Sequence, residues 1–109
     1  LILSKLDHPN IVRIYSFGFL DDGSLFLAME YLQGRTLSQA LNDSGKLEWR
    51  LTLLIAVQSC LALEHIHKQS IIHRDLKPEN IMLCHDASAK LQVKLLDMGL
   101  AKAYFESGS

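Results

Sequence analysis

Between Leu47 and Lys68 the chain runs without glycine or proline, and its apolar residues fall on almost every side of a helix. Leu47, Leu51, Leu54, Leu61 and Ala62 lie near one face, and Leu53, Val57, Cys60 and Leu63 widen that face nearly all the way round. A helix of this kind is stable only when other elements cover it, so the pattern predicts a central core helix with the rest of the chain packed around it. It is not a membrane span. The longest nearly apolar run, Leu51 to Val57 with Thr52 inside it, is far short of the ~20 residues that cross a bilayer.

The flanking segments read differently. Leu1 to Leu6 has the look of the last turns of a helix, with Lys5 suited to its C-terminus and Pro9 forbidding continuation. Ile11 to Phe19, rich in β-branched and aromatic residues, predicts a strand. Asp21-Asp22-Gly23 is turn chemistry, and Ser24 to Glu30 then alternates, with Leu25, Leu27 and Met29 on one side, so the two strands are expected to form an antiparallel hairpin. Gly34 marks a loop, and Thr36 can cap a short helix through Asn42. Ile81 to Leu83 and Leu91 to Leu96 predict two further strands. The order hairpin, helices, hairpin points to an α+β arrangement.

Composition narrows the function classes. Eleven basic and twelve acidic residues give a formal net charge of -1, so no excess positive field draws the chain to nucleic acid or to an acidic membrane surface. The two cysteines, Cys60 and Cys84, form neither a C-x-x-C pair nor a zinc-spaced cluster, which favours a reducing, intracellular and cytoplasmic setting. His65 and His67 face different sides of their helix, and His8 and His85 read as loop residues. Leu1 to Lys5 lacks the basic region and the length of a signal peptide, and the absence of an initiating methionine suggests a segment from within a gene product.

The most specific stretch is His73-Arg74-Asp75-Leu76-Lys77-Pro78-Glu79-Asn80. Seventeen residues on (97 − 80) stands Asp97-Met98-Gly99, preceded by Val93-Lys94-Leu95-Leu96. Upstream are His8-Pro9-Asn10-Ile11-Val12 and Met29-Glu30-Tyr31-Leu32. The octapeptide resembles the catalytic loop of protein kinases, H-R-D-L-x-x-x-N, at every fixed position, and Asp97-Met98-Gly99 is similar to the metal-binding D-F-G motif with methionine replacing phenylalanine. The two upstream segments look like the loop after the kinase regulatory helix and the hinge between the lobes. In this order the resemblance covers nearly the whole chain.

The resemblance implies a kinase-like α+β fold seen in part: an N-lobe remnant over 1–29, a hinge over 30–35, and over 36–109 a C-lobe portion with the catalytic loop and metal motif. It implies transfer of the γ-phosphate of ATP, with Mg²⁺, to a hydroxyl of a protein substrate. The chemistry matches the residue types. Phosphoryl transfer is mostly positioning and charge neutralisation. A carboxylate must orient the hydroxyl and take its proton, the role of Asp75. A cation offsets charge on the moving phosphoryl, the role of Lys77. Hard Mg²⁺ takes oxygen ligands, which Asn80 and Asp97 supply.

Further roles follow only from motif position. Backbone groups of Glu30 and Leu32 would bond adenine, Met29 would stand as gatekeeper, and Met82 would pack under the purine. Leu3, Ile14, His73 and Met98 would stack as a hydrophobic spine. Arg74 would bind a phosphate placed on the activation segment. Lys77-Pro78-Glu79 is typical of serine/threonine kinases. The Gly-rich phosphate loop and strand lysine of the family do not occur in this sequence, so the piece is expected to be inactive alone. The stretch His85 to Lys90 is expected to be a surface insertion. The rival reading is a pseudokinase, a binding or scaffold module, against which stands the retention of Asp75, Asn80 and Asp97.

Overall fold

A computed structural model of the chain describes residues 6–69 and 76–96. Strand β1 (Ile14–Phe19) pairs antiparallel with β2 (Leu25–Met29), and a bulge between Ile14 and Ser16 interrupts the register. The expected hairpin is thus present. Its turn closes through Leu20 N–H to Ser24 O at 2.7 Å and Gly23 N–H to Leu20 O at 2.9 Å. The first strand starts later than the sequence suggests, because Ile11 leaves the hairpin direction and bridges in parallel to Leu95.

Residues 34–36 correct the sequence reading. Gly34–Thr36 is a strand, β3, where a loop is expected, because it pairs antiparallel with β4 (Ile81–His85), which in turn pairs with β5 (Leu91–Leu95). At Gly34 the two backbones approach so closely that a Cβ would stand 2.2 Å from Leu83 O. Helix α1 (Leu37–Ser44) follows at once, held by a capping box. Thr36 Oγ1 accepts from Gln39 N–H at 3.0 Å, and Gln39 Oε1 accepts from Thr36 N–H at 2.9 Å.

Helix α2 (Trp49–Lys68) confirms the long helix but not its all-round burial. Its buried residues are Ile55, Ser59, Ala62 and Ile66, one stripe at spacings of four, three and four. Leu53, Leu54, Val57 and Leu61 are exposed. Strand β5 and the loop before β1 pack on this stripe of the helix, and Leu47, Leu51 and Leu63 beside it are partly covered. The core is a single cluster in which Ile55, Ala62 and Ile66 meet Ile11, Ile14, Ile81, Leu83, Val93 and Leu95. No helix among the described residues is long and apolar enough to cross a membrane.

His85 is also a correction: it ends β4 opposite Leu91, and only Asp86 to Lys90 remains as a turn. The Asp86 carboxylate accepts from Ser88 N–H at 2.8 Å and Lys90 N–H at 3.0 Å, which fixes the turn locally. Ala89 sits there at φ 62°, a left-handed conformation that costs an L-residue with a Cβ about 1 kcal/mol. Ala89→Gly is therefore expected to raise stability by about 0.5 kcal/mol, since glycine's greater freedom when unfolded cancels part of the gain. Equal urea midpoints for the two forms would contradict this.

Candidate active site

The stretch expected to be a catalytic loop is described from Leu76 onward. Lys77 is exposed and extended, with φ −148° and ψ 163°. Pro78 then opens a single 3-10 turn, Pro78–Asn80, where its fixed φ and missing N–H are no handicap. The turn closes through Asn80 N–H to Lys77 O at 2.9 Å, and helix α1 packs against it. Asn80 is buried and leads directly into β4.

The second motif approaches from β5. Ile81 lies opposite Leu95, and Leu96 N–H donates to Asn80 O at 2.7 Å. Asn80 is thereby bonded to the residue that directly precedes Asp97. Asp75 and Asp97 themselves lie outside the described residues, as do Leu3, His73, Arg74 and Met98. Among the described residues no group of three or more His, Cys, Asp or Glu gathers at metal-binding distance. The donors at issue here, an asparagine amide oxygen and a carboxylate, suit a hard ion by their chemistry.

The segment expected as a hinge continues the hairpin. Glu30 N–H donates to Arg13 O at 2.9 Å, and Met29 lies opposite Ile14 with its side chain partly exposed. Ile14 itself is buried. Met82 is half-buried in the middle of β4, between Thr36 on one side and Lys94 on the other. Glu30 and Leu32 line an open cleft of about 270 Å³ together with Cys84, His85, Gln92 and Lys94.

Sequence reasoning gave Glu30 a backbone role and missed its side chain. The carboxylate accepts from Arg13 N–H at 2.9 Å and from Lys94 Nζ at 3.0 Å, and Lys94 is only 12% exposed. Partial burial pushes this carboxyl up, but the Arg13 N–H and the Lys94 ammonium together outweigh it and hold the group below its ordinary value. One signal was available: Lys94 is the only charged residue from Leu91 to Leu96, and a cation in a half-buried strand needs a partner.

A second polar cluster joins the loop before β1 to α2. The His8 and His65 rings lie 5.2 Å apart, and His8 Nδ1 accepts from Asn10 N–H at 3.0 Å. Burial, then the neighbouring His65, hold the His8 imidazole below its ordinary value against the pull of Glu64. Gln58 of α2 and Asn10 both reach the backbone of β5.

Comparison with known proteins fits this geometry. The family model described as the protein kinase domain matches residues 1–109. The serine/threonine-protein kinase pkn3 of Myxococcus xanthus is 43% identical over 99 residues, which is 91% of this chain and 18% of that protein. PrkC, a serine/threonine-protein kinase of Bacillus subtilis, is 41% identical over 100 residues, 92% of this chain and 15% of its own length. Among solved structures, the Mycobacterium tuberculosis PknI kinase domain superposes with a TM-score of 0.79 at 30% identity, covering 90% of this chain and 39% of that one. A Rad53 structure in complex with AMP-PNP has the same TM-score of 0.79 at 36% identity, covering 91% and 26%. The chain thus spans less than a fifth of these two curated relatives and about two fifths of the PknI domain.

Proposed function

The chain belongs to the protein kinase domain family, and from that premise we propose that it carries the catalytic loop and metal motif of a serine/threonine kinase, one that moves the γ-phosphate of ATP to a protein hydroxyl. The observation that carries this reading is the bond from Leu96 N–H to Asn80 O at 2.7 Å. Asn80 and Asp97 lie far apart in sequence. This one bond supports their use as a joint ligand pair, since the chain can travel only one residue from Leu96 to Asp97. Mg²⁺ bound by these oxygens would neutralise phosphate charge. Asp75 orients the acceptor hydroxyl and takes its proton, and Lys77, extended and exposed, offers its ammonium to the phosphoryl oxygens.

Met29, the backbone of Glu30 and Leu32, and Met82 form the adenine side of the site in this reading. It is supported by the pairing of Thr36 with Met82, which brings the strand after residues 30–33 beside β4. The Rad53 relative is in complex with AMP-PNP, which supports an ATP-like nucleotide here. Both cysteines are free thiols, Cys60 exposed and Cys84 buried, which supports an intracellular, cytoplasmic setting.

The test is phosphate transfer from γ-labelled ATP to a mixed protein substrate by the full-length product of the gene that encodes this chain. Label on serine and threonine, lost when Mg²⁺ is chelated, is the expected result. Label on tyrosine alone, or none at all with nucleotide still bound, would overturn the reading, the second outcome in favour of a pseudokinase.

A further inference from the structure

Strand β5 has β4 on one edge. Its other edge is closed without a full neighbouring strand. Gln58 Nε2 donates to Leu91 O at 3.1 Å, and Val93 N–H donates to Gln58 Oε1 at 2.7 Å. One side-chain amide, projecting from α2, thus supplies the donor and the acceptor that a strand would supply. Asn10 continues the ladder: its Nδ2 donates to Val93 O at 2.8 Å and to Gln58 Oε1 at 2.8 Å, and its backbone O accepts from Leu95 N–H at 2.9 Å. Val12 N–H then donates to Leu95 O at 3.0 Å.

We propose that Gln58 is a positioning residue for the metal motif, fixing β5 along the axis of α2 so that Leu96 meets Asn80 and the chain enters Asp97 from a set place. The role rests on the kinase reading above. The physical argument concerns sliding. Apolar contacts of Val93 and Leu95 resist separation of the strand from the helix, but they are non-directional and resist displacement along it weakly. Hydrogen bonds are directional and short, and a slip of one residue would leave the buried Val93 N–H and the Leu91 carbonyl unpaired. Val93 is wholly buried, so water does not replace the lost partner there. Groups that orient metal ligands from behind commonly change metal affinity when altered.

A strand-edge cap that only adds stability would look the same in the structure, so the test must separate the two. In the full-length product, Gln58→Leu removes all three hydrogen bonds of the Gln58 amide, to Leu91, Val93 and Asn10, at nearly constant size, and Ile55→Val on the same helix serves as a control that lowers stability while leaving the hydrogen bonds on β5's edge in place. For Gln58→Leu, the Mg²⁺ concentration giving half-maximal phosphate transfer is expected to rise roughly 10-fold at saturating ATP, with KM for the protein substrate unchanged. The Val93 amide is expected to exchange with solvent faster. Gln58→Glu, which keeps the acceptor for Val93 N–H, is expected to fall between, and takes the place of Gln58→Leu if that variant does not fold. A Mg²⁺ requirement equal to that of Ile55→Val would overturn the positioning role while leaving the kinase reading intact. A wild-type protein that neither binds Mg²⁺-ATP nor transfers phosphate would overturn both.

Discussion

Asp75→Asn is expected to lower the turnover of the full-length product by roughly 10²- to 10⁴-fold while nucleotide affinity stays nearly constant. On the proposed assignment the carboxylate of Asp75 orients the acceptor hydroxyl and accepts its proton, and an amide cannot take that proton. The same assignment holds the nucleotide through other residues, so its dissociation constant is not at stake. Asp97→Asn is expected to behave in the opposite way. On the proposed assignment it replaces a charged oxygen ligand with a neutral one at a hard dication, so Mg²⁺-dependent nucleotide affinity falls first and turnover falls with it. Titrating ATP into each variant with and without Mg²⁺ separates the roles. Loss of binding in Asp75→Asn, with binding retained in Asp97→Asn, would show the two assignments to be exchanged.

Legibility in the sequence followed the range of the interaction that builds each feature. The β1–β2 hairpin and the capping box at Thr36 are local: turn residues and a Thr-x-x-Gln spacing name them before any fold is known. Strand β3 was not legible. Gly34-Arg35-Thr36 has no alternation, and it is a strand only because β4, more than forty residues later, lies beside it. Helix α2 was legible as a helix, but its apolar residues mark every face that could be covered, and among the described residues the fully buried ones form the stripe through Ile55 and Ala62. The kinase family was readable because its most specific residues, 73–80, stand side by side in the sequence. The Glu30–Lys94 pair and the Gln58 contact to Val93 span 64 and 35 residues. The lone Lys94 in its apolar strand signals that it needs a partner, but nothing local names that partner, and only the folded chain brings the pairs together.

Gly34→Ala is expected to be the most damaging small substitution in the described part of the chain. A Cβ at this position would lie 2.2 Å from Leu83 O and 3.2 Å from Cys84 Cα, both backbone atoms that cannot rotate away. The backbone is also at φ +158°, a region that L-residues with a Cβ rarely adopt. Relief requires β3 to move off β4, which breaks the pairing of Gly34 with Cys84 and Arg35 with Leu83. The cost is about 3 kcal/mol or more, the upper range for forced overpacking. Gly45→Ala is the control: its backbone is at φ +74° and ψ −39°, but a Cβ there meets nothing within 4 Å, so backbone strain of about 1–3 kcal/mol applies without the clash. Because β3 follows residues 30–33 and runs beside Met82, the Gly34 variant is also expected to lose nucleotide affinity, and the Gly45 variant to keep it. Thermal unfolding and ATP titration of both variants test this together. Equal losses of stability at the two glycines would show that the close approach to Leu83 carries no special cost.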